Sequence, residues 1–412
     1  MSDAPAPAPA PVQVPAFADV TGGMDPARWD ALARDHFYSS VNWLRFCAGD
    51  GGITTGGLHL EAPGAGTVGV PVTAVRSIGN PFYQWDRILG EAGLPSPGPS
   101  GLLVGAHRGY QANILASPGI SREQAAKELL CGLEDLAGEL AAAGAAGPLP
   151  AGASGGRDAG AVPTVAMFLS TPDVVALRAA GVRAMPVALQ PDAWIPLPEG
   201  GGWDEWMRSL PSKRRADIVR RDRRNFLEAG YEVVHTTLGE CGPQAARLLA
   251  CTERRYGHDA DVEELAESIR IQAEALGADA RVLLLSRPGE DPVGYCLYYM
   301  WGDTLYLRAA GFDYDRLAGA AEYFNLVYYI PLIIACENGL RWLHAGIEAA
   351  EAKVLRGAEL RPLWMLDLSR DSVLAGRDDD VRAHNAGLVA RWGEASPAIA
   401  KALVRDLWEP FC

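Results

Sequence analysis

Between Gly346 and Gly357 the chain reads Gly-Ile-Glu-Ala-Ala-Glu-Ala-Lys-Val-Leu-Arg-Gly, so Lys353 and Arg356 lie three residues apart with Glu348 and Glu351 just before them. Residues at that spacing share one side of a short helix or turn. A fixed cation there stabilises an oxyanion or a phosphate, and a carboxylate beside a low-dielectric pocket has its pKa raised toward neutrality and can accept a proton. The competing reading is an ordinary solvated Lys–Glu pair, because isolated charges mostly sit at the surface.

A second constellation lies upstream. Glu322, Asn325 and Tyr329 recur three and four residues apart in Glu-Tyr-Phe-Asn-Leu-Val-Tyr-Tyr, at the start of an otherwise apolar helix. A polar stripe on a buried helix is costly unless partnered, so it either lines a pocket or forms a satisfied core network. Pro211 to Arg224 holds seven basic and two acidic residues, among them Lys213, Arg214, Arg215, Arg220 and Arg221. Such a run either contacts phosphates or forms the solvated face of an amphipathic helix; no aromatic residue interleaves to stack on bases. Arg316-Leu-Ala-Gly-Ala-Ala321 fits R-x-x-G-x-A, a loop whose backbone N–H groups bind the pyrophosphate of acetyl-CoA. The seven histidines have no ligand spacing, and neither a Gly-x-Ser-x-Gly nor a Walker motif occurs, so metal and serine-hydrolase chemistry have no support.

These residues need elements to position them. In the first half, Asp25–Asp35 and Ser121–Ala143 read as helices, the latter started by Ser121 with Glu123 and Gln124. Gly57–Leu60, Val68–Val75, Leu102–Ala106 and Thr164–Leu169 read as strands, and Thr171–Ala180 as a helix. In the second half, helices over 203–230, 243–256 and 262–276 frame a strand at 231–237. Strands at 280–286, 293–300 and 304–309 then form a meander, followed by one apolar helix from Ala320 to Asn338 and a strand at 341–345. This is the element order of a Gcn5-related N-acyltransferase core, and the first half runs through a degenerate version of it. The expected fold class is α/β (α+β), with two such domains in tandem and mixed, mostly antiparallel sheets.

The expected boundaries are an Ala/Pro leader over 1–16, domains over 17–198 and 199–369, and a helical tail over 370–412 packed on one of them. An Ala/Gly loop spans 141–161. The 412 residues suffice for two or three domains. Hydrophobic residues at 49% against 21% charged exclude wholesale disorder. A net charge of −14 repels polyanions, which argues against a DNA-coating role and makes any nucleic-acid contact local. Seven scattered cysteines without a CxxC pair suit reduced thiols. The leader lacks the basic and apolar regions of a signal peptide, and the longest apolar stretch, around 326–336, is too short to cross a membrane. The expected setting is the cytoplasm.

The segments Gly302-Asp-Thr-Leu-Tyr-Leu-Arg308, Glu322-Tyr-Phe-Asn325 with Tyr328-Tyr329, Gly339-Leu340 and Gly346–Gly357 together resemble the Fem-like proteins, a tandem acyltransferase-fold family that includes proteins labelled peptidoglycan biosynthesis/recognition. The resemblance runs over about 200–368. It is diffuse earlier, where Trp29-Asp30 and the segment from Phe37 to Trp43-Leu44 look like the family's opening. Family members studied as enzymes move an amino acid from aminoacyl-tRNA to an amine on a cell-wall precursor or a small natural product. The resemblance implies no resident cofactor, aminoacyl-tRNA as co-substrate, and a small-molecule or peptide amine as acceptor. It places a lysine of the late motif in the catalytic groove and basic residues on a helix facing a groove between the domains. On this basis Lys353, Glu348 and Glu322 are candidate catalytic residues. Asn325, Tyr329, Arg356 and Arg308 are candidate substrate-binding residues, and Lys213, Arg214, Arg215, Arg220 and Arg221 candidate contacts to tRNA phosphate. Two other readings stand beside it: an acetyl-CoA-dependent N-acyltransferase using Arg316–Ala321, and a non-catalytic binding protein of the same fold.

Overall fold

The structure, a computed structural model, describes residues 14–49, 53–62, 64, 66–143 and 162–412. Nearly all of the Ala/Pro leader and of the Ala/Gly run lies outside the described residues.

The first half begins with α1 (Pro26–Ala33), where Asp25 accepts the Arg28 N–H and Pro26 supplies a φ already suited to the first turn. Ser40 caps α2 (Val41–Ala48) in the same way, and the hairpin β1 (Thr54–Ala62) and β2 (Gly66–Val75) follows. Next come α3 (Trp85–Glu91), β3 (Gly101–Val104), β4 (Leu115–Ala116) and α4 (Arg122–Ala142). As the Ser-x-x-Gln spacing requires, the Ser121 hydroxyl accepts the Gln124 N–H at 3.1 Å. β5 (Thr164–Leu169), α5 (Thr171–Ala179) and β6 (Val187–Pro196) complete this half.

The second half contains α6 (Trp203–Ser209), α7 (Lys213–Glu228), β7 (Glu232–Thr237), α8 (Leu238–Arg255) and α9 (Val262–Leu276). The meander β8 (Arg281–Ser286), β9 (Gly294–Trp301) and β10 (Thr304–Phe312) follows. The single helix expected from Ala320 to Asn338 is instead broken into α10 (Glu322–Phe324), a π-helical turn over Asn325–Tyr329, and α11 (Ile330–Glu337). The cause is Pro331. It has no N–H to give the Val327 carbonyl and its ring crowds that oxygen, so the preceding turn widens. The chain ends with β11 (Trp342–Gly346), α12 (Ala350–Val354), β12 (Glu359–Asp367), α13 (Asp378–Ala395), α14 (Pro397–Ala402) and α15 (Arg405–Trp408).

These elements form two compact units: Met1–Gln190 with Pro362–Trp392 and Arg405–Cys412, and Pro191–Arg361 with Gly393–Val404. The first unit's sheet runs β1-β2-β3-β5-β12, with β4 on β2; among the described residues its parallel strand pair is β3 with β5, and α4 lies between them in sequence. The second unit's sheet runs β6-β11-β10-β9-β8-β7; its one parallel pair, β10 with β11, is joined through α10 and α11. The same plan occurs twice, with each parallel pair flanked by an antiparallel strand drawn from the other half of the sequence: β12 beside β5, and β6 beside β11. The sequence reading missed both of those strands. The chain is thus α/β (α+β), two tandem Gcn5-related acyltransferase-like domains with mixed, mostly antiparallel sheets.

The segment after Arg370 is helical, and its residues divide between the units. Within the first unit, Trp364 donates to Thr171 Oγ1 at 2.9 Å and its ring packs against Trp408 and Phe411. Fully buried Asn385 ties three backbone groups together there: its Oδ1 accepts the Ala188 N–H at 2.8 Å, and its Nδ2 donates to the carbonyls of Pro186 (2.9 Å) and Phe411 (2.7 Å). Asn385→Ala leaves all three unpaired in a dry environment and should cost on the order of 3 kcal/mol in urea unfolding. A loss below about 0.5 kcal/mol, within the usual range for a surface change, would show that these bonds do not hold the tail.

Candidate functional site

In the second unit the parallel strands β10 and β11 pair only at Thr304↔Trp342, Leu305↔Leu343 and Tyr306↔His344. Beyond that point β10 continues along β9 alone, and its register shifts between Leu307 and Ala309, which makes half-buried Arg308 the bulge residue. The strands therefore part just where β11 runs into the Gly346–Ala349 turn. Glu348 (φ 64°) and Ala349 (φ 44°) both adopt the left-handed conformation there, which non-glycine residues take at a cost and only when held.

Lys353 supplies that hold. Its ammonium, on α12, donates to the carbonyls of Gly346 (2.9 Å) and Ile347 (2.6 Å), and the residue is 5% exposed. Burial, the strongest influence, lowers its pKa from 10.5 to about 8, while the carboxylates of Asp192 and Glu348 oppose that fall. At neutral pH it is therefore mostly a cation, with little water around it.

Arg356 does not join Lys353. It turns away to donate to the Ala352 carbonyl (2.6 Å) and to Tyr329 Oη (3.1 Å), with its guanidinium 3.7 Å from the centre of the Phe324 ring. Tyr329 donates in turn to Asp222 Oδ2 at 3.2 Å, and burial pushes its phenol up to about 12, so it stays protonated. Asn325 donates to the backbone carbonyls of Asp222 (3.1 Å) and Ala321 (2.9 Å) and accepts from Arg223 at 3.2 Å. Of the two alternatives for the polar stripe, Asn325 and Tyr329 thus form a satisfied core network that ties α7 to the π turn and to Arg356. Buried Glu322 accepts at Oε1 from Tyr231 Oη (2.9 Å) and from the Ala318 N–H (2.7 Å). The backbone donor at the centre of the Arg316–Ala321 loop is thereby engaged by the protein's own carboxylate, and Arg316 pairs with Glu290.

The basic run forms α7, which buries Ala216, Val219, Asp222 and Phe226 and turns Lys213, Arg214, Arg220 and Arg221 to solvent. Arg220 pairs with Asp217 (2.8 Å) and Arg221 with Asp222 (3.3 Å). Ser212 caps the start of the helix, where a cavity of about 810 Å³ opens, lined by Arg215, by Val354 and Leu355 around α12, and by Lys401 of α14. Its acidic neighbours are committed: Glu351 accepts from Ser396 Oγ at 3.0 Å, and Glu359 pairs with Arg361 at 2.5 Å. Among the described residues Arg215 and Lys401 have no ion-pair partner, so the cavity favours an anion. Glu351, read from sequence as a flanking proton acceptor, is exposed and tied to Ser396. Glu348 is exposed in the turn.

The structure therefore brings Lys353 together with Glu348, and Arg215 together with α12, and it holds Asn325, Tyr329 and Arg356 in a separate network. Sequence reasoning missed Asp222, Asp192 and His344, the last two joined at 2.8 Å. Asp222 could have been found by its position among the apolar residues of α7. Asp192 and His344 carry no local signal.

Residues 198–377 match the FemAB-like family, described as peptidoglycan biosynthesis/recognition. No curated protein matches the chain. The crystal structure of FemX is similar over 84% of this chain and 96% of its own, at 14% identity and a TM-score of 0.53. A conserved protein of unknown function from Bacteroides thetaiotaomicron VPI-5482 is similar over 84% and 98%, at 11% identity and 0.50. At such identities the likeness concerns the fold, and the chain has a Fem-like fold of the Gcn5-related acyltransferase type.

The lowered pKa of Lys353 has a definite sign in stability. Between pH about 8 and 10.5 the unfolded chain holds a proton that the folded chain has released, so stability should rise with pH across that window. The gain attributable to this residue is on the order of 3 kcal/mol. Urea unfolding of wild type and Lys353→Met from pH 7 to 10.5 should show the two curves diverging in that window; parallel curves would mean that the amine is not buried.

Proposed function

We propose that this protein is an aminoacyl-tRNA-dependent transferase that forms an amide or ester bond on a small-molecule or peptide acceptor, as in natural-product, antibiotic or cell-wall biosynthesis, acting in the cytoplasm. The observation that carries the reading is the desolvated Lys353 ammonium, held at the end of a parting strand pair on a helix that also lines a cationic cavity. Attack of a neutral amine on the ester carbonyl of the donor breaks the bond to the tRNA ribose oxygen and develops negative charge on the carbonyl oxygen. A charge fixed in a dry site stabilises that oxyanion without reorganising. In this reading Lys353 supplies that charge, and Glu348 takes the amine proton and passes it to the departing ribose oxygen. Glu322 orders the loop before α10. Arg308 faces the acceptor, and Asn325, Tyr329 and Arg356, first read as substrate-binding, act only by holding the helix behind the site. Lys213, Arg214, Arg215, Arg220 and Arg221 hold tRNA phosphates.

The acetyl-CoA reading loses ground to Glu322, which already occupies the Ala318 N–H that a pyrophosphate needs. The deciding experiment incubates purified protein with labelled aminoacyl-tRNA pools and, separately, with acetyl-CoA, and follows donor deacylation in the presence of candidate amines. Amine-dependent deacylation of tRNA supports the proposal. Turnover of acetyl-CoA alone overturns it, and binding of ligands with no turnover of either donor favours a binding protein.

The two basic elements should fail differently. Replacing Arg214, Arg215, Arg220 and Arg221 with Ala removes phosphate contacts, so donor binding should weaken and its salt dependence flatten while turnover at saturation changes little. Lys353→Met should lower turnover by on the order of 10²-fold with a smaller effect on binding. Unchanged turnover in Lys353→Met would remove Lys353, and Glu348 with it, from the reaction.

A further inference from the structure

Two buried titratable side chains of the second unit, Asp192 and His344, have no role in the reaction just described. Asp192 is 2% exposed and His344 1%. Asp192 Oδ1 lies 2.8 Å from His344 Nε2, and its Oδ2 accepts the Trp194 indole N–H at 2.7 Å. A carboxylate this far from water is costly unless its charge is answered, and neither an indole nor an imidazole is a permanent cation. The Asp192 charge favours the protonated form of Lys353. The β6–β11 register explains the proximity: His344 faces Trp194, Gly346 faces Ala193 after a local irregularity, and Gly346 is one of the two residues whose carbonyls accept the Lys353 ammonium. Asp192, next to Ala193, thus stands at the end of β11 where that ammonium is held.

We propose that Asp192 is a positioning residue for Lys353: it anchors His344 and the end of β11 to which the ammonium is bonded, and it serves as the ammonium's internal counter-charge. The catalytic part of this statement rests on the proposed role of Lys353. Because β6 comes from the first half of the sequence, the N-terminal half contributes a charged group to the centre that the C-terminal motif forms. The titratable and charged groups on the elements about Lys353 include Asp192 on β6, His344 on β11, Glu348 in the turn, Glu351 on α12, Arg356 just after it, Lys401 on α14, which packs against α12, and Arg361 on β12, whose guanidinium lies 4.9 Å from the Trp194 ring. Asp192 and Glu348 are the two whose charges hold the ammonium protonated against burial, and Glu348 is exposed, where water screens it.

The chain has only four lysines, Lys127, Lys213, Lys353 and Lys401, so the titration of each can be followed by NMR on protein carrying carbon-13-labelled lysine, with Lys353→Met assigning the resonance. Lys353 should titrate near 8 in the wild type. Loss of the counter-charge in Asp192→Asn should lower that midpoint by about one pH unit or more. Asp192→Glu, which keeps the charge, should stay nearer the wild type, and Glu348→Gln should have the smaller effect. Where aminoacyl transfer is measured, the alkaline limb of kcat should move with the NMR midpoint while KM for the donor changes little, which a merely structural residue would not produce. The NMR arm needs no substrate, so an absence of transfer removes the functional reading and leaves the coupling standing. A Lys353 midpoint unmoved in folded Asp192→Asn overturns the coupling even where transfer occurs. If Asp192→Asn does not fold, the Asp192 carboxylate carbon of the wild type must show an inflection at the Lys353 midpoint that vanishes in Lys353→Met; no inflection overturns the proposal.

Discussion

The pairing of β11 with β6 is the constraint on which the second unit depends. A parallel pair such as β10–β11 leaves the outer edge of β11 with unpaired N–H and C=O groups, and such an edge invites pairing with whatever strand is near. β6 covers it over Trp342–Gly346, and β12 does the same for β5 in the first unit. Each half of the sequence therefore needs a strand of the other to close its sheet. The consequence reaches the chemistry, because the covering strand carries Asp192 and Trp194 to the end of β11, beside the turn that Lys353 holds.

A buried charge needs local answers, and the second unit gives two different kinds. Arg356 is answered by a tyrosine hydroxyl, a backbone carbonyl and the face of Phe324, and the negative charge of Asp222 lies one hydrogen bond beyond that hydroxyl. A planar guanidinium held on three sides fixes the geometry of its partners. Its reach depends on the widened turn that Pro331 imposes, since Asn325 and Tyr329 at the two ends of that turn both contact Asp222. Lys353 is answered by two carbonyls and two carboxylates, and its proton is negotiable.

How much of this was legible in sequence follows from what leaves a local trace. A cap did: Ser121 with Glu123 and Gln124 announced a helix that begins where expected. Alternating and meander strands did too, and the late motif pointed to Lys353 through family resemblance. The two exchanged strands did not, and each contains a proline, Pro191 in β6 and Pro362 in β12, which argues against a central strand when read locally. Those prolines stand where the chain passes from one compact unit to the other. Partnerships such as Asp192 with His344, or Asp222 with Tyr329, span more than a hundred residues and leave no periodic signal. The polar stripe at 322–329 could be recognised as needing partners, but whether those partners were a ligand or the protein itself was a tertiary fact.

The choice of lysine over arginine at 353 has a physical reason in this setting. Burial alone would strip a lysine of its proton, and two carbonyl acceptors alone favour keeping it. The opposing field of Asp192 and Glu348 sets the balance near 8, close enough to neutrality that the group is charged yet still titratable. An arginine would remain charged regardless and present a planar fork that two carbonyls of consecutive residues in a tight turn do not match. A compact ammonium can point its donors at Gly346 and Ile347 together and still retain a third N–H, since each –NH₃⁺ carries three. One side chain thereby holds two consecutive carbonyls of a strained turn.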